Sequence, residues 1–506
     1  MNKLAYKPSM GLSVFFGTEM WERYGFYIVQ SLLALYLSLQ LHMEDAQVYM
    51  LVGSFTALTY ISPIIGGWVA DNFLGQRRAV FTGGFILFLS YILLAFSLSL
   101  NHLILAFSGI AMGTGLLKPN ISSLLGRQYS PSDPKRNSAF TIFYLGITTG
   151  IILGTTLPSK LQFWFGWKAC FLSAAIGMVL AIFVFFMGTK LLKIEEYAVL
   201  KRRMLINWIA SLVIIVFSGS IFYLVLSHSG IANTFFIAVA TLAVVVVLRI
   251  AFKEEGDQRR KTLSLLILFA ISTCFWAFYF EMFMMLTLFI TRTVEPVVLG
   301  IRFPAPYYVS VQSFGMIVFG IFLAKLWARM RYRNAAYAIS IKFTIAIACM
   351  FLAYSVILIT SNNNSENLLS PWPILFAYVL ISLAELMLSP IGLSAVTRLG
   401  NSQVVSTLMG VFFVSLGIGG FLSGQLSKIV SSEPESSSLI HLKESYFHGF
   451  SALTWMLFFV LIFSGVSCSL IKRLSRNICW EKIREEDLDA SSSGEEDRGK
   501  IIGVRS

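Results

Sequence analysis

Charge is scarce in this sequence. Only 13% of its 506 residues are Asp, Glu, Lys or Arg, where an ordinary soluble chain carries about a quarter. A soluble multidomain protein is therefore excluded. The five cysteines are scattered, with Cys170, Cys274, Cys349 and Cys468 in apolar stretches and Cys479 near the carboxyl end, so neither a disulfide framework nor a zinc site is spaced out. The five histidines form no metal motif. No apolar stretch carries a nucleophile with its base, which argues against an enzyme. The first apolar stretch is broken by Glu19 and lacks a small-residue cleavage site, so it reads as a retained helix and not as a signal peptide.

What the chain does have is apolar residues: 56% of the total, 44 of them Phe, with a mean hydropathy of +0.75. They fall in runs of about 20, enough to cross roughly 30 Å of hydrocarbon, without the ten-residue alternation of a membrane barrel. The reading is an all-α polytopic membrane protein. Six spans fall within 12–190, two more within 191–262 and a further six within 263–472, about fourteen in all. Residues 1–11 form an amino-terminal segment. Residues 473–506 form a polar tail with the composition of a disordered segment.

Cations concentrate in alternate loops. Arg77 and Arg78, Lys135 and Arg136, Lys190 to Arg203, Lys253 to Lys261 and Arg329 to Arg333 share one side; Lys160, Lys168, Arg292, Arg302 and Lys443 are the sparse set on the other. The asymmetry predicts an inner-membrane protein with both termini cytoplasmic. It also accounts for the net charge of +13 without a nucleic-acid partner.

Glu19, Glu22 and Arg23 interrupt the first span at spacings of three and four, on one helical face. Each costs roughly 2.5–3.5 kcal/mol at bilayer depth on insertion scales, so lipid exposure is excluded and a partner, water or a function is required. Lys118, Glu281 and Glu385 pose the same problem in later spans. A central cavity reached alternately from each side would accommodate them, and a buried structural pair of Lys118 with Glu385 is the alternative. Lys118-Pro119 and Ser389-Pro390, the latter just after Glu385, predict helix breaks beside ionisable groups. Tyr27 and Tyr60 carry hydroxyls at mid-span that need partners.

The segment Glu19-Met-Trp-Glu22-Arg23-Tyr24-Gly25-Phe26-Tyr27 resembles the ExxERFxYY signature of the proton-dependent oligopeptide transporters of the major facilitator superfamily. Gly66-Gly67-Trp68-Val69-Ala70-Asp71, with Gly75 and Arg77, is similar to the superfamily's loop between the second and third helices. Lys118-Pro119-Asn120, Phe143-Tyr144, Phe275-Trp276-Ala277 and the run from Glu385 to Ser394 follow in family order. The resemblance implies two six-helix bundles with two inserted helices of the bacterial type, and symport of di- and tripeptides with protons. Protons are then the coupling ion and no cofactor is expected. It implies a proton-coupling cluster of Glu19, Glu22 and Arg23. Lys118 would bind the peptide carboxylate, and Glu385 the peptide amine or, without peptide, Lys118. Tyr27 and Tyr60 would line the pocket, and Glu281 falls near the family's acidic position in the seventh helix. Asp71 and Arg77 would serve the conformational loop.

Four departures bear on the cargo. Gln30 stands where many members carry arginine, Thr148 replaces an asparagine, Gln312-Ser313 replaces an asparagine-proline pair, and Met282, Met284 and Met285 occupy a wall that is usually small or polar. An altered peptide preference and symport of another small solute, such as an amino acid, both fit these changes. Partners are short peptides or related solutes, protons and membrane lipid; the sequence leaves oligomeric state open.

Overall fold

The computed structural model describes residues 8–129, 133, 135–192, 194, 204–329, 335–362, 365–430 and 438–475. Cys479 and the polar tail lie outside these. The chain is a bundle of long helices: α1 (Pro8–Leu35), α2 (Asp45–Val69), α3 (Gln76–Ala95), α4 (Leu100–Arg127), α5 (Lys135–Leu191), α6 (Met204–Ser227), α7 (Ser229–Lys253), α8 (Gly256–Tyr279), α9 (Met285–Thr293), α10 (Pro306–Arg329), α11 (Ala335–Ser361), α12 (Pro371–Leu399), α13 (Val405–Ser427) and α14 (Leu439–Leu474). The α5 helix turns back at Gly166, whose φ of 78° is left-handed, so its two arms make separate crossings. A single crossing comprises α8 and α9, joined by a 3-10 turn at Phe280–Phe283. Fourteen crossings result among the described residues, and the protein is a multi-pass membrane protein.

Contacts sort the helices. The first half packs α1 on α5, α3 on α4 and α5, and α2 on α4; the second packs α11 on α12 and α14, α10 on α12, and α13 on α8. Between them α6 packs on α4 and α2 while α7 packs on α8 and α13, so the inserted pair touches both halves. A two-stranded antiparallel hairpin, β1 (Val297–Val298) with β2 (Ile301–Arg302), marks one end of the bundle, here the hairpin end. The other end is the terminal end.

Close helix approach positions the functional side chains. Gly146, Gly150 and Gly154 lie at four-residue spacing on α5, and a Cβ on Gly150 would sit 2.4 Å from the Met20 carbonyl and 2.7 Å from Arg23 Cβ. Only backbone fits there, so α1 lies flush on α5 with its charged residues held. Likewise a Cβ on Gly66 would sit 2.0 Å from the Gly115 carbonyl oxygen. Gly66→Ala is expected to push α2 off α4 and destabilise by about 1–3 kcal/mol, the usual cost of overpacking. A melting temperature equal to the wild type would contradict that contact.

The predicted breaks at Pro119 and Pro390 are corrected, because α4 and α12 run helical through both. Pro119 leaves the Gly115 carbonyl without its helical donor, and that carbonyl rests against Gly66 of α2. Asn120 reinforces the same turn, its amide donating to the Leu116 carbonyl at 2.7 Å and the Gly66 carbonyl at 3.4 Å. The neighbouring helix supplies the contact, so the helix continues. The break falls instead at Phe280–Met284, where no proline or glycine announces it.

Candidate functional site

The first-span triplet is fully sequestered, with Glu19, Glu22 and Arg23 each at most 3% exposed. The Arg23 guanidinium donates to both carboxylate oxygens of Glu22, through Nε and, at 2.6 Å, through Nη2. Its Nε is also 3.4 Å from Glu19 Oε1, and its Cζ lies 4.9 Å from the Phe26 ring centroid. One cation thus serves two carboxylates, and Glu19 Oε2 has no hydrogen bond. Such a group is electrically unfinished: a proton on either carboxylate would balance it locally.

The Lys118 ammonium comes next, half-buried, over the Tyr60 ring at 5.1 Å and within electrostatic reach of Glu19, Glu22 and Arg23. Among the described residues it forms no ion pair with Glu385, so the resting pair expected from the resemblance is not made in this conformation. The carboxylate of Glu385 is held from its own half: Tyr279 Oη donates to Oε2 at 2.8 Å and Gln312 Nε2 donates to the same oxygen at 2.6 Å. Both donors satisfy one oxygen. Oε1 has no hydrogen bond among the described residues.

Tyrosines fill the space between these poles. Tyr27 and Tyr60 feel both Arg23 and Glu385, and Tyr144, about half exposed, feels Glu385 and Tyr60. Tyr27 and Tyr60 also meet the broken crossing, Tyr27 at 6.3 Å from the Phe283 ring and Tyr60 at 5.3 Å from Phe280. The structure therefore brings together Glu19, Glu22, Arg23, Tyr27, Tyr60, Lys118 and Glu385, with Gln312 behind the last.

Most of the other predicted residues have partners of their own. Gln30 is buried and donates to Thr56 Oγ1 at 3.0 Å, which ties α1 to α2. Thr148 is buried and returns its hydroxyl to the Tyr144 carbonyl at 3.2 Å. Glu281 is fully buried and accepts from Ser427 Oγ of α13 at 2.5 Å. Met282, Met284 and Met285 are fully buried too and pack at the break. Asp71 is exposed in the short π-helical stretch Ala70–Leu74, and Arg77 donates to the Thr189 carbonyl at 3.3 Å, fastening α3 to the end of α5.

Sequence reasoning missed the lock at the hairpin end. Arg292 of α9 donates to both oxygens of Asp45 on α2, at 2.6 and 2.8 Å, and also to Ser38 Oγ at 2.9 Å and Tyr446 Oη of α14 at 3.2 Å. This bidentate pair joins the two halves. Further contacts across the seam lie on the same side: Thr155 Oγ1 and Ser310 Oγ are 2.5 Å apart, and Gly53 packs on Gly420 and Gly424. Arg292 had been read only as one of the sparse cations of its side; an acid opening the second span was the complementary signal.

Comparison with known proteins identifies the family. The profile of the POT family (PTR2) matches residues 77–456. Dipeptide and tripeptide permease A of Klebsiella pneumoniae is 30% identical over 455 residues, covering 88% of this chain and 89% of its own. Dipeptide and tripeptide permease A of Cronobacter turicensis is 28% identical over 492 residues, 96% of each. Among solved structures, a mutant of the peptide transporter POT in complex with alafosfalin superimposes with a TM-score of 0.77 at 26% identity, covering 92% of this chain and 95% of that one. With the profile spanning most of the chain and a permease 30% identical over nearly nine-tenths of it, this protein belongs to the POT family of membrane transporters.

Proposed function

We propose that the chain imports di- and tripeptides together with protons by alternating access, with its terminal end facing the cytoplasm of an inner membrane. One observation carries the reading: Glu385 offers an unoccupied carboxylate oxygen from one half while Lys118 offers an ammonium from the other, across a tyrosine-lined space. A peptide zwitterion has the complementary poles. Bound by both, it draws the halves together at the terminal end, which is the closing step. Names of the relatives support the cargo, and the cation asymmetry of the loops supports the orientation.

Proton coupling follows from the triplet. Glu19 and Glu22 share Arg23, and Lys118 adds a second positive charge nearby. When substrate carboxylate engages Lys118, the cation's field on Glu19 and Glu22 weakens, and proton uptake restores the local balance. No cofactor enters this scheme. The proton is the coupling ion.

The test uses paired substrates. Lys118→Ala is expected to raise KM for dipeptides with a free carboxylate about ten- to a hundredfold, the range of a charge-assisted hydrogen bond, and to affect their methyl esters much less. Equal losses for acids and esters would reject the assignment of Lys118.

A further inference from the structure

A groove lined by none of the residues gathered above lies on the flank of the first half. It measures about 810 Å³ and runs between α3, α4 and α6. Its floor is mostly apolar, with Ile86, Leu93, Met112 and Ile215, the hydroxyls of Ser90 and Ser108 being turned to backbone carbonyls of their own helices, and its rim residues Leu89, Leu105, Val216 and Leu224 are exposed. In a membrane-spanning protein this flank faces lipid. Polar side chains, Asn101, His102 and Tyr223, gather at the hairpin end of the groove.

Length and polarity together identify an occupant. From Asn101 to Met112 the groove follows eleven residues of α4, a rise of about 17 Å, and from Ile215 to Leu224 it follows α6 for about 14 Å. Half of a hydrocarbon core of roughly 30 Å is about 15 Å. The groove is thus one leaflet deep, polar at the surface and apolar at the midplane, which is the profile of one phospholipid.

We propose that a phospholipid of the leaflet at the hairpin end occupies this groove, its acyl chain between α4 and α6 and its headgroup at Asn101 and His102. The position has a consequence for motion. The α7 helix is fixed to the second half, where Phe236 stacks on Phe421 at 4.4 Å and Asn233 accepts from Gln425 at 2.8 Å, while α6 leans on the first half beside the groove. A lipid chain in that seam gives the inserted pair a deformable bearing as the halves rock, where interlocked side chains would resist.

Gly219 supplies the test, because it lines the groove and a Cβ there meets nothing within 4 Å. Gly219→Phe sets a ring in the groove from a position where the Cβ itself is unobstructed. Gly465→Phe on α14 is the control, since Gly465 also has open space around it but lies outside the groove. Each protein is reconstituted in liposomes of phosphatidylethanolamine and phosphatidylglycerol, extracted in mild detergent, and weighed by native mass spectrometry, with Gly219→Leu as a smaller replacement if Gly219→Phe does not fold. The wild type and Gly465→Phe are expected to retain a phospholipid that Gly219→Phe loses, and Asn101→Ala with His102→Ala to weaken its retention. Equal phospholipid retention by all variants, or none by the wild type, would overturn the proposal.

Discussion

Glu22→Gln is expected to abolish proton-driven accumulation while leaving exchange of substrate for substrate intact. The amide keeps the shape of the side chain but binds no proton, and Arg23 retains Glu19 at 3.4 Å as its counter-charge. One coupled proton contributes about 1.4 kcal/mol per pH unit, so the wild type should concentrate substrate about tenfold for each unit of gradient. The variant should reach only the external concentration. Counterflow in preloaded proteoliposomes separates the two activities, because exchange needs binding and the conformational change but no net proton movement. Retention of full gradient-driven uptake by Glu22→Gln would remove Glu22 from the coupling cluster. Arg23→Lys should fail differently: an ammonium lacks the fork that grips Glu22 twice, so this variant should lose stability as well as coupling.

Arg292→Ala is expected to open the hairpin end. Its pair with Asp45 is mostly buried, at 15% and 7% exposure, and removing one partner of such a pair costs about 3–5 kcal/mol because the other is left uncompensated. That cost falls on the conformation in which the pair is made, so the equilibrium should shift away from it by about a hundredfold or more. Nitroxide labels at Gln47 and Ser438, one in each half near that end, would show this as longer distances by double electron-electron resonance. Asp45→Arg combined with Arg292→Asp should restore the shorter distances, whereas either change alone should not. Unchanged distance distributions in Arg292→Ala would mean that the pair is not a gate.

The fourteen crossings were legible because lipid imposes long apolar runs, and even α1 could be read despite its three charges. The charged triplet was legible for the same reason, since charge at bilayer depth needs an explanation. Partners across the seam were not. Asp45 and Arg292 lie 247 positions apart and each resembles an ordinary interfacial charge. The break at Phe280–Met284 was hidden as well, because its cause is tertiary: Glu281 turns toward Ser427 in a stretch of bulky residues with no helix breaker. Pro119 gave the converse error, its local signal being offset by the contact of α2 with Gly115. Thr148 and Gln30 were read as bearing on the cargo by their place in the motif; the partners of their hydroxyl and amide, within their own half, were not legible.

Uptake of a labelled dipeptide into proteoliposomes carrying an inward proton gradient tests the central claim most directly. Accumulation above the external concentration, abolished by a protonophore and by blocking the peptide's amine and carboxylate together, is the predicted result. Uptake that only equilibrates, or that continues unchanged after the gradient collapses, would contradict a proton-coupled reading of Glu19, Glu22 and Arg23.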